Sequence, residues 1–141
     1  MKYKILFDIS SWYISPCDYE SLIKSWLFDK FFDYGYSLLE LKEPFSDKKV
    51  YCELLSTNSV VSKNHNVDYI EIIIEVKEKP KDKWEEDWKK EFGQYFEPVL
   101  SEEEIENIIR SALDRGNYNY NMSYDESDTA TIDLHSIEKL E

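Results

Sequence analysis

The alternation and clustering of apolar residues along the chain predict five β-strands. These segments are 2–10, 36–42, 49–57, 68–77 and 129–135. The first is too rich in β-favouring apolar residues for an exposed edge strand, so we expect it inside the sheet. The second and third are separated by residues of turn composition, which predicts a hairpin. The fourth is the clearest strand, because isoleucine or valine occupies every second position from 70 to 76 on one face.

The three- and four-residue spacing of apolar side chains predicts a first helix between Ser15 and Gly35. Ser15 is expected as its N-cap, Pro16 at the first helical position, and Gly35 as the residue that ends it. The apolar stripe in between consists of Tyr19, Leu22, Ile23, Trp26, Leu27, Phe31 and Tyr34. A stripe of this width predicts that the helix packs against the sheet.

Two more helices are expected in the second half of the chain. One lies between Pro80 and Pro98, and its aromatic side consists of Trp84, Trp88 and Phe92, with Tyr95 or Phe96. The other begins at Ser101, where a glutamate three positions later completes the pattern of a capping box, and it ends at Gly116. Its predicted core face consists of Ile105, Ile108, Ile109, Ala112 and Leu113.

The resulting order of elements is β-α-β-β-β-α-α-β, in one domain that spans residues 1–141. We therefore predict an α+β fold of two layers, in which a mixed or antiparallel sheet of about five strands carries helices on one face. A ferredoxin-like variant is one such arrangement. The polar, tyrosine-rich residues 117–128 are expected to connect the last helix to the last strand.

The charge of the chain narrows its choice of partner. The formal net charge is −13, which opposes direct binding to nucleic acids and to anionic lipid surfaces and favours a basic protein. The excess is uneven, because residues 1–96 carry 18 acidic and 14 basic side chains, whereas residues 97–141 carry 12 and 3. The last third of the chain therefore contributes most of the negative field.

Motifs for cofactors, metals and nucleophilic catalysis are missing from the sequence. Cys17 and Cys52 have neither CxxC nor CxxH spacing, and His65 and His135 lack a second ligand at metal-binding spacing. The chain contains only three glycines, which leaves little room for a phosphate-binding loop. No cofactor and no metal are therefore expected, and the cysteine pattern together with an N-terminus that lacks a signal-peptide core favours the cytoplasm.

One segment keeps an enzymatic alternative open. Glu75-Val76-Lys77, at the end of a strong strand, resembles half of the PD-(D/E)xK motif of metal-dependent nucleases, in which a carboxylate binds Mg²⁺ and the lysine stabilises developing charge. Asp68 has the opposite parity on the same strand, and Glu53, the remaining candidate for the first carboxylate, lacks a preceding proline. Cross-strand pairing of exposed charges is the simpler interpretation.

The candidate binding face lies between residues 102 and 128, where carboxylates and tyrosines cluster. It consists of Glu102, Glu103, Glu106, Asp114, Tyr118, Tyr120, Tyr124, Asp125, Glu126 and Asp128. Tyrosine gives a large contact area at small entropic cost, and clustered carboxylates steer a basic partner. A solvated acidic loop without a partner is the alternative interpretation of the same residues.

Together these features favour a non-enzymatic, stoichiometric protein inhibitor over the other functional classes. Such a protein would act as an immunity protein or antitoxin against a toxin, or as a phage anti-defence protein, of the anti-CRISPR kind, that blocks the nucleic-acid groove of a nuclease effector. The alternatives are a metal-dependent nuclease that uses Glu53, Glu75 and Lys77, and a structural protein that self-associates through its aromatic residues.

Overall fold

The fold is α+β, and the chain pairs into one antiparallel sheet that curls into a half-barrel. The computed structural model describes residues 1–33, 35, 37–44, 48–61, 67–78, 100–121 and 127–140. The helices in these residues are α1 (Tyr19–Lys30), which follows a 3₁₀ turn at Pro16–Asp18, and α2 (Glu102–Leu113). The strands are β1 (Lys2–Ser10), β2 (Phe32–Asp33), β3 (Leu38–Lys42), β4 (Lys49–Val61), β5 (Val67–Lys77), β6 (Arg115–Asn121) and β7 (Ser127–Leu140).

The order of strands across the sheet is β2-β3-β4-β5-β1-β7-β6, and every neighbouring pair is antiparallel. Apart from the two-residue β2, the described part of the chain has six strands, one more than predicted. As expected, β1 lies inside the sheet, between β5 and β7. The arrangement differs from a ferredoxin-like sheet, because β2 to β5 form a continuous meander and β6 and β7 form a hairpin on the other side of β1.

Alternation along the strands divides the sheet into an inner face, which carries the core, and an outer face. On β1 the side chains of Tyr3, Ile5 and Phe7 are almost completely buried, while Lys2 and Lys4, at alternate positions, are partly exposed. The register places the inner-facing residues of β1 opposite those of β5, so the two strands form the floor of one core. Both described helices pack on this inner face and contribute to the same apolar cluster, as predicted.

The first helix begins and ends differently from the prediction. Ser15 makes no side-chain capping bond, and α1 ends at Lys30 because Phe31 is extended, with φ −111° and ψ 149°. Gly35, which was expected to end the helix, has φ +89° and lies in the turn between β2 and β3. Only glycine adopts this conformation without strain, and Asp33 Oδ1 accepts a hydrogen bond of 2.8 Å from its N–H. Of the helical members of the predicted stripe, Leu22, Ile23, Trp26 and Leu27 are buried and Tyr19 is partly buried.

The last described helix matches its prediction closely at the beginning and on its core face. Ser101 Oγ accepts a hydrogen bond of 3.2 Å from the N–H of Glu104, which is the expected N-cap. All five predicted core residues of α2 are buried. The predicted helix around Trp84, Trp88 and Phe92 lies outside the described residues. Of the helices that the structure describes, none is long and apolar enough to cross a membrane.

Residues 117–128 were predicted to be a connection, and this prediction is wrong for their described part. Arg115–Asn121 forms β6, and β7 already begins at Ser127. Tyr118 and Tyr120 pack against the core while Asn117 and Asn119 are exposed, so the strand alternates with a period of two. Because tyrosine and asparagine supply the alternation in place of isoleucine and lysine, polar composition concealed the strand.

Gly116 lies under the indole ring of Trp26 rather than at the end of a helix. A Cβ atom at this position would be 2.6 Å from ring atoms of Trp26. The ring itself contacts Phe7 edge-on, with centroids 5.7 Å apart, and Phe31 at 6.5 Å. Because Gly116 has no side chain, α1 can pack close to the sheet at β6.

We expect Gly116→Ala to lower the free energy of unfolding by about 1–3 kcal/mol, because the added methyl group overpacks the contact with Trp26. Urea denaturation measures the change, with Asn119→Ala, an exposed position of the same strand, as the control. In a Trp26→Phe background, the smaller ring should reduce the cost of the added methyl group. An equal cost in both backgrounds would contradict the assignment.

Candidate partner-binding site

A short loop between β1 and α1 is held by the carboxylate of Asp128. The Oδ2 atom of Asp128 accepts hydrogen bonds from the backbone N–H of Trp12 at 2.9 Å and of Tyr13 at 2.8 Å. The pKa of Asp128 is lowered, chiefly by the bond from Tyr13 and further by those from Trp12, Thr129 and Ile14. One side chain at the start of β7 therefore fixes the backbone of a loop that is distant in the sequence.

The side chains of Ile14 and Ser11, on either side of Trp12 and Tyr13 in the sequence, also hold the loop. The side chain of Ile14 is only 4% exposed and belongs to the core. Ser11 Oγ donates to the carbonyl oxygen of Ile14 at 3.4 Å and lies 3.3 Å from the hydroxyl of Tyr19 on α1. Backbone hydrogen bonds to Asp128 and the burial of Ile14 thus position the loop on both sides of the two residues at its tip.

Trp12 and Tyr13 form the tip of this loop and are the most exposed large apolar side chains of the described residues, at 88% and 79%. Large aromatic side chains are seldom left this exposed on a surface without a function. They carry no periodic signal in the sequence, because they belong neither to the alternation of β1 nor to the stripe of α1. The available signal was their position: two adjacent aromatics in a connection between two predicted elements.

The carboxylates predicted on α2 are in part neutralised by neighbouring cations. Glu102 Oε1 lies 2.8 Å from Lys139 Nζ, which lowers the pKa of Glu102, mainly through a hydrogen bond. Glu106 pairs with Arg110 one turn further on, at 3.2 Å. The other two predicted carboxylates, Glu103 and Asp114, are exposed, and no ion pair within the described residues includes them.

The structure separates the predicted binding face into two parts. Glu102 lies beside Lys139 near the end of β7, whereas Asp128 lies at its beginning. Lys139 is eleven positions beyond Asp128, which corresponds to roughly 36 Å along an extended strand. Asp114 lies between these ends, since its carbonyl oxygen accepts a hydrogen bond from the N–H of Leu134.

Two tyrosines of the predicted face, Tyr118 and Tyr120, make contacts within the fold. The hydroxyl of Tyr118 donates to Asp29 Oδ2 on α1 at 2.6 Å, and this bond is the main cause that raises its pKa. Tyr120 is partly buried against the core and lies opposite Asp128 in the register of β6 and β7. The remaining predicted residues, Tyr124, Asp125 and Glu126, lie outside the described residues.

The residues of the enzymatic alternative meet on the outer face of the sheet. Glu53 and Glu75 are direct cross-strand partners, and Lys77 Nζ forms an ion pair with Glu75 and lies 3.6 Å from Glu53 Oε2. Lys2 Nζ is 3.7 Å from the second oxygen of Glu75. The hydrogen bond from Lys77 lowers the pKa of Glu75, and the same bond raises the pKa of Lys77. The cluster is thus an exposed network in which lysines occupy the positions next to both carboxylates.

An open depression of about 280 Å³ lies between α1 and β6. Lys30 lines it and donates to the carbonyl oxygen of Ala112 at 3.2 Å, near the end of α2. The same ammonium group lies 5.1 Å from the ring centroid of Trp26, and burial lowers its pKa. Lys30 thus already has two partners for its ammonium group, the carbonyl oxygen and the indole ring. Through these contacts it links α1 to α2.

The histidines and cysteines are dispersed. His135 stacks on Tyr69 with centroids 4.3 Å apart and lies 3.7 Å from Asp8, on the outer face. Cys52 is buried, which raises its pKa to about 12, whereas Cys17 is exposed. Within the described ranges, three or more metal-ligating side chains do not come together. His65 lies outside these ranges.

Comparison of the chain with protein-family models, with curated proteins and with solved structures found no match. The function must therefore be argued from the geometry and the charge of the described residues.

The lowered pKa of Asp128 predicts how the stability should depend on pH. Because the folded pKa lies below the ordinary aspartate value of 3.8, the hydrogen bonds to the loop stabilise the fold above the unfolded pKa. This contribution is lost as the pH falls through the folded pKa. The difference in unfolding free energy between the natural chain and Asp128→Ala should therefore shrink in acid, as measured by urea denaturation at a series of pH values.

Asp18→Ala is the control, because Asp18 lies next to the same loop and makes no side-chain capping bond. The amide resonances of Trp12 and Tyr13 should also titrate with a midpoint below 3.8 in nuclear magnetic resonance spectra. A midpoint above that value, or the same pH dependence in both variants, would show that the carboxylate does not hold the loop.

Proposed function

We propose that this chain is a stoichiometric protein inhibitor that binds a basic protein. Its targets would be of two kinds: a nuclease effector, whose nucleic-acid groove it would block in the manner of an anti-CRISPR protein, or a toxin, which it would neutralise in the manner of an immunity protein. The observation that carries the proposal is the carboxylate excess, since eight of the eleven lysine and arginine side chains in the described residues already lie within ion-pair distance of carboxylates.

Eight lysine and arginine side chains of the described residues lie within ion-pair distance of carboxylates. They are Lys2, Lys4, Lys48, Lys49, Lys77, Arg110, Arg115 and Lys139. Exposed pairs of this kind add little to stability, but they cancel the outward field of each cation. The net charge of −13 is therefore presented by carboxylates in excess of these pairs. Such a field accelerates association with a basic surface and opposes association with phosphate groups.

Part of this excess lies on one side of α2. Glu103 and Asp114 are eleven positions apart, which is about three helical turns, so they lie on the same exposed stripe. Exposed charges such as these act mainly on the rate of association, because they steer the partner's approach before contact is made. We assign them this steering role.

The meeting of Glu53, Glu75 and Lys77 favours one second candidate, metal-dependent cleavage of nucleic acid. This function would require Mg²⁺ to replace Lys77 between the carboxylates and a polyanionic substrate to approach a chain with a charge of −13. If it is correct, incubation of purified protein with DNA or RNA and Mg²⁺ should give cleavage that disappears in Glu75→Ala. Equal cleavage by both proteins would assign the activity to a contaminant.

The proposal is tested by affinity purification of the tagged chain from its native cells, or from the cells that its source infects. Washes at about 0.05 M and about 0.5 M salt separate electrostatic from apolar retention, since the screening length falls about threefold between them. We expect a basic protein bound in a fixed ratio and released in part by salt. Recovery of the tagged chain alone, with a mass that rises with concentration in light scattering, would instead favour self-assembly.

Two charge-reversal variants with the same net charge test the location of the steering charges. Glu103→Lys with Asp114→Lys changes α2, and Asp8→Lys with Glu71→Lys changes the outer face, so both carry −9 instead of −13. We expect the first to slow association with the purified partner by about tenfold at low salt and the second to slow it less. Stopped-flow mixing measures both rates. Equal rates for the two variants would contradict the role of α2.

A further inference from the structure

We infer that Trp12 and Tyr13 are the anchor of the interface, and that they insert into an apolar pocket rimmed by lysine or arginine on the partner protein. The inference rests on the proposed function and adds the surface through which it acts. The observations that carry it are the exposure of the two side chains and the way in which their backbone is held.

The exposure of two adjacent aromatic side chains at this site is unusual. Trp12 and Tyr13 are adjacent and expose 88% and 79% of their side chains, whereas Trp26, on the neighbouring helix, is only 3% exposed. Tryptophan and tyrosine are the residues most enriched among those that dominate the affinity of protein interfaces. Placing two of them in water is costly unless a partner covers them for part of the time.

The loop is ordered before any partner arrives. Trp12 and Tyr13 donate their backbone N–H groups to one carboxylate, that of Asp128, and the next residue, Ile14, is buried in the core. A partner therefore does not have to order the backbone when it binds, which removes a large part of the usual entropic cost. The side chains take no part in these bonds and stay largely exposed.

The net charge of the chain indicates which kind of molecule covers Trp12 and Tyr13. A second copy of this chain, an anionic membrane and a nucleic acid would each bring negative charge towards a molecule of net charge −13. A protein with lysine or arginine around an apolar pocket brings the complementary charge. Its cations would also be placed to contact the exposed faces of the two aromatic rings.

The loop lies at a sheet end to which other strands contribute. Ser10 pairs with Thr131 at the end of β1, and Asp128 pairs with Tyr120 between β7 and β6. Val61, at the end of β4, is 54% exposed and pairs with the first residue of β5. An interface centred on Trp12 and Tyr13 can therefore extend over an additional apolar side chain and the ends of several strands.

The experiment places a photoreactive benzophenone amino acid at position 12 of the full-length chain, and at position 55 of a second chain as the control. Leu55 is also an exposed apolar residue, at 42%, but it lies in the irregular part of β4. Irradiation in lysate of the native cells should cross-link a basic protein from position 12 and not from position 55. The cross-linked protein is then purified for titration calorimetry.

In that titration, Trp12→Ala with Tyr13→Ala should raise the dissociation constant by at least about 100-fold, and Leu55→Ala should leave it within about twofold. Asp128→Ala keeps both aromatic side chains but releases the loop, so it should raise the constant by about tenfold. The aromatic double variant should fold normally, since every hydrogen bond that holds the loop comes from the backbone or from other residues.

Each outcome separates the two proposals. If a basic partner binds in fixed ratio but tolerates Trp12→Ala with Tyr13→Ala, the anchor is overturned and the inhibitor proposal stands. If position 12 cross-links to a second copy of the chain or to nucleic acid, the chosen occupant is wrong. If the natural chain retains no basic protein at low salt, both proposals fail together.

Discussion

The packing of Trp26 between α1 and the sheet is the contact on which the arrangement of the described elements depends. Its ring contacts Phe7 from the centre of the sheet, approaches Phe31 beyond the end of the helix, and covers Gly116 on β6. The contacts of this single side chain thereby fix how far α1 lies from β1, from the segment at Phe31 and from β6. The distance from the end of β1 to the start of α1 is fixed as a result, and the loop that carries Trp12 must span it.

The same contact explains how the two helices and the edge hairpin are coordinated. Lys30 lies above the ring of Trp26 and donates to a carbonyl oxygen near the end of α2, so the ends of both helices meet beside β6. Tyr118, on β6, reaches back to Asp29 of α1. Because Tyr118 joins this edge strand to α1, β6 is attached to the core through a side chain as well as through its pairing with β7.

The sequence allowed a good prediction wherever local pattern and burial coincide. The bounds of β1, the core face of α2 and the N-cap at Ser101 could be predicted, because each depends on neighbours within a few residues. The roles of Gly35 and Gly116 could not, since a turn glycine and a glycine under an indole ring have the same local signature as one that ends a helix. The strand β6 was missed because tyrosine and asparagine replaced the usual alternation.

The candidate site shows the same limit more sharply. Glu102 and Asp128, which were grouped into one predicted face, lie near opposite ends of β7, and no local pattern reports that separation. Asp128 was predicted to contact a partner directly, which stays a prediction, whereas the structure shows that its carboxylate binds the backbone at Trp12 and Tyr13. A long-range bond from a side chain to a backbone leaves no periodic signal, so the only sequence signal of the aromatic pair was its position between two predicted elements.

The backbone hydrogen bonds to Asp128 have an evolutionary consequence. Since the loop is held without the help of the side chains at its tip, positions 12 and 13 can exchange one large residue for another while the fold stays the same. The scaffold and the surface it offers are then inherited separately. A lineage of such proteins could follow a changing target by substitution at two codons, with little of the loss of stability that usually accompanies new recognition.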